Sequence, residues 1–138
     1  MLFRSYLDRN GAKALPVFAD LPVWYDQVGA PIGWESDDER NKWFSDLSRS
    51  LSGISLMAYE RDTSTRIENG VEWEIAKFKG EVRVGLETNI GIKGTWKSFD
   101  DFRKMIREQE SIVTHPRSVD IHDFVSFHDA AVGPIKNK

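Results

Sequence analysis

Residues 36–51 constrain this chain more tightly than any other stretch. Ser36 followed by Glu39 has the pattern of a capping box, in which each side chain satisfies a free backbone N–H at the start of a helix. Asp37 and Asp38 fall in the first turn, where the helix dipole favours negative charge. Trp43, Phe44, Leu47 and Leu51 then recur at helical spacing, and Gly53 supplies a stop. The spacing predicts an amphipathic helix over 37–51, whose single apolar stripe needs a partner surface to bury it.

The residues after this helix alternate. Ile54 to Arg61 is rich in strand formers, with Ile54, Leu56 and Ala58 on one face. A polar stretch follows and ends in Asn69-Gly70, a common turn pair. Val71, Trp73 and Ile75 then alternate with Glu72, Glu74 and Ala76. After Lys79-Gly80, Val82, Val84 and Leu86 alternate with Arg83, Gly85 and Glu87. Three runs joined by short turns predict an antiparallel β-meander with one buried face and with Glu72, Glu74, Arg83 and Glu87 on the other.

A glycine-rich stretch, Asn89 to Trp96, leads to a second helix. Ser98 caps it, and Phe99, Phe102, Met105 and Ile106 form its apolar side until it fades near Glu110. A loop through Thr114-His115-Pro116 precedes a third helix, from about Ile121 to Val132, ended by Gly133-Pro134. Residues 1–35 read as an extended entry segment, because Leu21-Pro22, Ala30-Pro31 and Gly33 disfavour helix. Residues 134–138 read as a frayed tail. The expected fold class is α+β, an antiparallel meander packed by about three helices, in a single domain over 1–138.

Composition excludes several function classes. The chain has 138 residues, no cysteine and a net charge of −3, so disulfide frameworks, thiolate metal sites and a dedicated nucleic-acid binder are disfavoured. No apolar run approaches the roughly 20 residues needed to cross a bilayer, and the first residues lack the apolar core of a secretory signal. A cytoplasmic protein without membrane or cofactor is expected. His115, His122 and His128 are the only histidines, and on one helix His122 and His128 fall on different faces and share no metal. No nucleophile elbow or phosphate loop occurs, so no catalytic, cofactor or metal residue is singled out and no enzymatic role is expected.

Charge is distributed unevenly. Between Lys13 and Arg40 there is no lysine or arginine, whereas Asp20, Asp26, Glu35, Asp37, Asp38 and Glu39 lie there with Trp24, Tyr25 and Trp34. Capping and core anchoring account for these residues. So does an anionic, aromatic surface for a cationic partner, since carboxylates steer such a partner and rings anchor it. On charge and exposure pattern the candidate partner-binding residues are Asp26, Trp34, Glu35, Asp37, Asp38, Glu72, Glu74 and Glu87.

The stretch from Leu21 to about Ala130 resembles an immunity protein of contact-dependent growth inhibition, of the CdiI type. The matching features are Leu21-Pro22 before an aromatic segment, the helix end Trp43 to Ser52, and the strand Ser55 to Glu60. They continue with the hairpin Trp73 to Glu87, the stretch Arg107 to His115, and the start of the last helix at Asp120 to Phe124. The resemblance implies a non-catalytic protein that neutralises the C-terminal toxin domain of a cognate effector, a basic nuclease, by covering its active or substrate-binding surface. It also implies a Whirly-like fold, whose members bind single-stranded nucleic acid; such a module is one alternative, with Arg61, Arg66, Lys77, Lys79 and Arg83 in its favour. A small hydrolase using a carboxylate pair is the other, and a buried Glu or Asp in a pocket would distinguish it.

Overall fold

In a computed structural model of the chain, residues 2–12, 15–29, 33–59, 61, 63–91, 96–109 and 119–133 are described. The helix predicted from the capping box is present. Ser36 accepts from the Glu39 N–H at 3.2 Å, while the Glu39 carboxylate takes the N–H of Glu35 at 3.0 Å. This helix is the second of five among the described residues: α1 spans Leu2–Arg9, α2 Asp37–Ser50, α3 Ser64–Lys77, α4 Phe99–Gln109 and α5 Phe124–Val132. Between them run strands β1 (Phe18–Pro22), β2 (Gly53–Met57), β3 (Glu81–Glu87) and β4 (Val119–His122).

The sheet is not a meander. Its order is β1-β2-β3-β4 and every neighbouring pair is parallel. Parallel neighbours need a crossover that returns the chain to the same end of the sheet. The helices α2, α3 and α4 provide these crossovers. The expectation of an antiparallel meander packed by about three helices is therefore corrected.

Segment 71–76 is where the prediction failed. Val71, Trp73 and Ile75 alternate like a strand, yet they belong to α3, which Thr63 caps by accepting from the Arg66 N–H at 3.4 Å. The inward positions of α3 are Ile67, Val71 and Glu74, all buried, at helical spacing. A charged residue at one inward position disguised the stripe, and Asn69-Gly70 in mid-helix imitated a turn. The other differences are smaller. The strand expected over 54–61 ends at Met57, and the entry segment contains α1 and β1. The helix expected from Ile121 is a strand to His122 followed by α5, with Asp123 as its cap. The Thr114-His115-Pro116 loop and the tail 134–138 lie outside the described residues.

One face of the sheet is covered. Ile54, Leu56, Val82, Val84 and Leu86 join Phe44 of α2, Ile67 and Val71 of α3, and Phe102 and Met105 of α4 in one buried cluster. Strands advancing in one direction with right-handed crossovers put all three helices on the same side. Much of the aromatic content is spent here. Phe44 packs 4.7 Å from Trp73 and 5.7 Å from Phe78, and Phe102 lies 5.5 Å from Trp96, measured between ring centroids. Among the described residues no helix is long and apolar enough to cross a membrane.

Candidate functional site

Because side chains alternate along a strand, the residues between the core positions point away from the helices. The register lines them up in rows: Phe18, Gly53 and Glu81; Asp20, Ser55 and Arg83; Pro22, Met57, Gly85 and Asp120; Glu87 and His122. This second face is polar, whereas all-parallel sheets ordinarily bury both faces in apolar contacts. Arg83 sits at its centre. Its Nε donates to Glu81 at 2.6 Å, its Nη1 is 3.6 Å from an Asp120 oxygen, and its guanidinium lies 4.2 Å from the Phe18 ring centroid.

Tyr59, two residues beyond β2, leans back over this face. Its ring stacks on His122 with centroids 5.1 Å apart. A side chain at Gly85 would place its Cβ 3.6 Å from both the Tyr59 ring and the Ser55 Oγ, so the glycine leaves the space that Tyr59 covers. Burial, and then the charges of Asp20, Glu87 and Asp120, push the Tyr59 hydroxyl above the ordinary tyrosine value. The hydroxyl is thus a neutral donor among three carboxylates. Beside it, Asn89 donates to the Glu87 carboxylate, and the buried Thr88 hydroxyl donates to the His122 carbonyl at 2.7 Å. Tyr59, Glu87 and His122 stand at the C-terminal ends of parallel strands, the end at which open α/β sheets and barrels bind ligands.

No family model, curated protein or solved structure matches this chain. Among the described residues no group of three or more His, Asp or Glu side chains is placed to hold a metal ion.

The eight residues expected to form one acidic, aromatic surface are dispersed. Glu35, Asp37 and Asp38 are exposed at the N-terminus of α2, with Asp37 2.8 Å from Arg40. Trp34 is half-buried: its indole N–H donates to the Tyr25 carbonyl at 2.7 Å and its ring lies 5.1 Å from Trp43. Glu72 is exposed on α3 and does not share the sheet face with Glu87. Glu74 points the other way and is buried, with 1% of its surface exposed. Arg83 and Glu87 do lie on the face away from the core, where alternation places them.

Glu74 belongs to a second feature, on the helical side. A cavity of about 420 Å³ opens between the loop after β1 and α3, and Asp26, Arg61, Arg66, Gly70, Trp73 and Glu74 are among its lining residues. Burial first, and then the Asp26 charge, push the Glu74 carboxyl up to about 8; its own backbone amide and Arg40 oppose the shift. Asp26 is also raised, mainly by burial.

Sequence reasoning missed Asp20, Tyr59, Asp120 and His122 as a group. They lie on two strands and a loop, and only parallel pairing brings them to one face. The available signal was the alternation of β3 continued into its neighbours, which needed the strand directions to be interpretable.

Proposed function

We propose that this chain is a hydrolase that works through the carboxylate pair Glu87 and Asp120, on an uncharged, hydroxyl-rich substrate such as a glycoside. The observation that supports this most directly is that the charges of Asp20, Glu87 and Asp120, on one face of the sheet, all act on the Tyr59 hydroxyl, with Glu87 at the C-terminal end of β3. Glu87 pairs in register with His122, two residues beyond Asp120 on the neighbouring strand. Strand spacing and rise then separate the two backbones by about 8 Å, which suits carboxyl groups flanking a scissile glycosidic bond. One member of the pair protonates the leaving oxygen while the other activates water or attacks the reacting carbon. Tyr59 donates to a substrate oxygen, held in orientation by His122. The carboxylates repel anionic substrates, and their acceptor oxygens suit hydroxyl groups.

The test is turnover of a panel of 4-nitrophenyl glycosides by the full chain. Glu87→Gln and Asp120→Asn should each lower kcat by roughly 10²–10⁴-fold while leaving the far-UV circular dichroism unchanged. Absence of turnover across the panel, or full activity in both variants, sinks the proposal.

A second reading, toxin neutralisation, draws on a different observation. The exposed acids Glu35, Asp37 and Asp38 follow closely in sequence on Trp24 and Val28, which are 44% and 40% exposed. Rings and carboxylates together suit a basic nuclease domain. The hairpin order behind the immunity resemblance is absent, so this reading rests on that edge alone. Co-purification with a co-expressed basic nuclease toxin domain, abolished by Asp37→Lys with Asp38→Lys, would support it; absence of any complex, or survival of the complex in that variant, would count against it.

A further inference from the structure

The α3-side cavity is separate from the polar sheet face and is not used by the chemistry proposed there. Its walls carry both signs of charge. Asp26 and Glu74 contribute carboxyls, and Arg61 and Arg66 contribute guanidiniums, with Trp73 as an apolar side. Arg66, Gly70 and Glu74 follow at intervals of four on α3, so one helix face lines the space. The cationic and acidic positions on that helix are eight residues apart, about 12 Å along its axis. Gly70 is a costly residue in mid-helix, by about 1 kcal/mol against alanine, yet a Cβ there would meet the Arg61 Nε at 3.3 Å. The glycine therefore gives the guanidinium its room.

Glu74 is the observation that points to a ligand. It is 1% exposed, lines the cavity, and among the described residues has no hydrogen-bond partner for either carboxylate oxygen beyond its own backbone amide. Leaving such a group unpaired is costly, on the order of 1–3 kcal/mol or more for a charged one. Tyr25 beside it is likewise buried, and its hydroxyl has no partner among the described residues. A simple cation entering the cavity would meet Arg61 and Arg66 as well, and a simple anion would meet Asp26 and Glu74. A molecule bearing both signs meets an opposite charge at each end.

We propose that this cavity binds a small amino-acid-like zwitterion, its ammonium group held by Glu74 and Asp26 and its anionic group by Arg61 and Arg66. Glu74 turns about its side-chain bonds to bring its oxygens from beneath the wall to the ligand. The ammonium binds the ionised carboxylate, so association releases a proton. Asp26, Arg61 and Arg66 are the other charged groups lining this space, Tyr25 and Arg40 act electrostatically from beside it, and Asp26 and Arg40 oppose each other in their effect on Glu74.

Three probes that differ by one charge test this on the full chain by titration calorimetry: 6-aminohexanoate, hexanoate and hexylamine. 6-Aminohexanoate should bind at least about tenfold more tightly than either of the others. Its affinity should fall by nearly tenfold from about pH 7 to about pH 6, as the carboxyl takes up its proton. Glu74→Gln and, independently, Arg66→Gln should each weaken it by about tenfold or more with unchanged circular dichroism. No binding by any probe, equal binding of hexylamine, or unaltered affinity in both variants would overturn the assignment.

Discussion

Tyr59 stacks on His122 across the intervening strand β3, and Gly85 is the residue they span. The ring centroids are 5.1 Å apart, and a Cβ on Gly85 would come within 3.6 Å of the Tyr59 ring. The contact ties the end of β2 to the end of β4, and it sets a phenol among Asp20, Glu87 and Asp120.

That environment is measurable by titration. Burial and the three carboxylates raise Tyr59, and burial followed by Glu74 and Asp26 raises Tyr25. Absorbance at alkaline pH should therefore show two of the three tyrosines ionising above the ordinary value near 10. Tyr59→Phe should remove one of these high-pH components. A wild-type chain in which all three ionise near 10 would contradict the arrangement.

Glu74 should make stability depend on pH in an unusual direction for a carboxylate. Its folded value, about 8, lies above its ordinary value of 4.5. The folded chain thus holds this proton more tightly than the unfolded chain does. The contribution is fully present below about pH 4.5 and is lost as pH rises through about 8. Glu74→Gln should flatten this dependence and exceed wild type above about pH 8, by an amount on the order of 3–5 kcal/mol. Urea unfolding at pH 5, 7 and 9 checks it; equal slopes for both chains would refute it.

Gly53 tests the parallel register. Phe18 and Glu81 flank it in the sheet, and a Cβ there would press on the Phe18 ring and come 2.7 Å from the Glu81 carbonyl. Gly53→Ala should cost roughly 1–3 kcal/mol, as overpacking does. Thermal melting of the variant decides the point, since a glycine without these neighbours would tolerate alanine.

Ser36→Ala should lower stability by about 1 kcal/mol through loss of the bond to the Glu39 N–H. The loss should appear in chemical denaturation as a shifted midpoint with an unchanged slope.

Much of the local structure was legible in the chain itself. The caps at Ser36 and Ser98, the stripes of α2 and α4, and the alternation of β3 depend on neighbours within a few residues, and each stands where those neighbours place it. Strand direction does not have that locality. Phe18 pairs with Gly53 and Val84 with Val119, and nothing near any of these residues records its partner. Segment 64–77 shows the same limit. Its inward stripe includes Glu74, which only the cavity beside α3 explains, so the local pattern favoured a strand. The two candidate sites were beyond reach for the same reason. Asp20, Tyr59, Glu87, Asp120 and His122 meet because separate strands lie parallel, and burial of Glu74 is a consequence of packing and not of its neighbours in sequence.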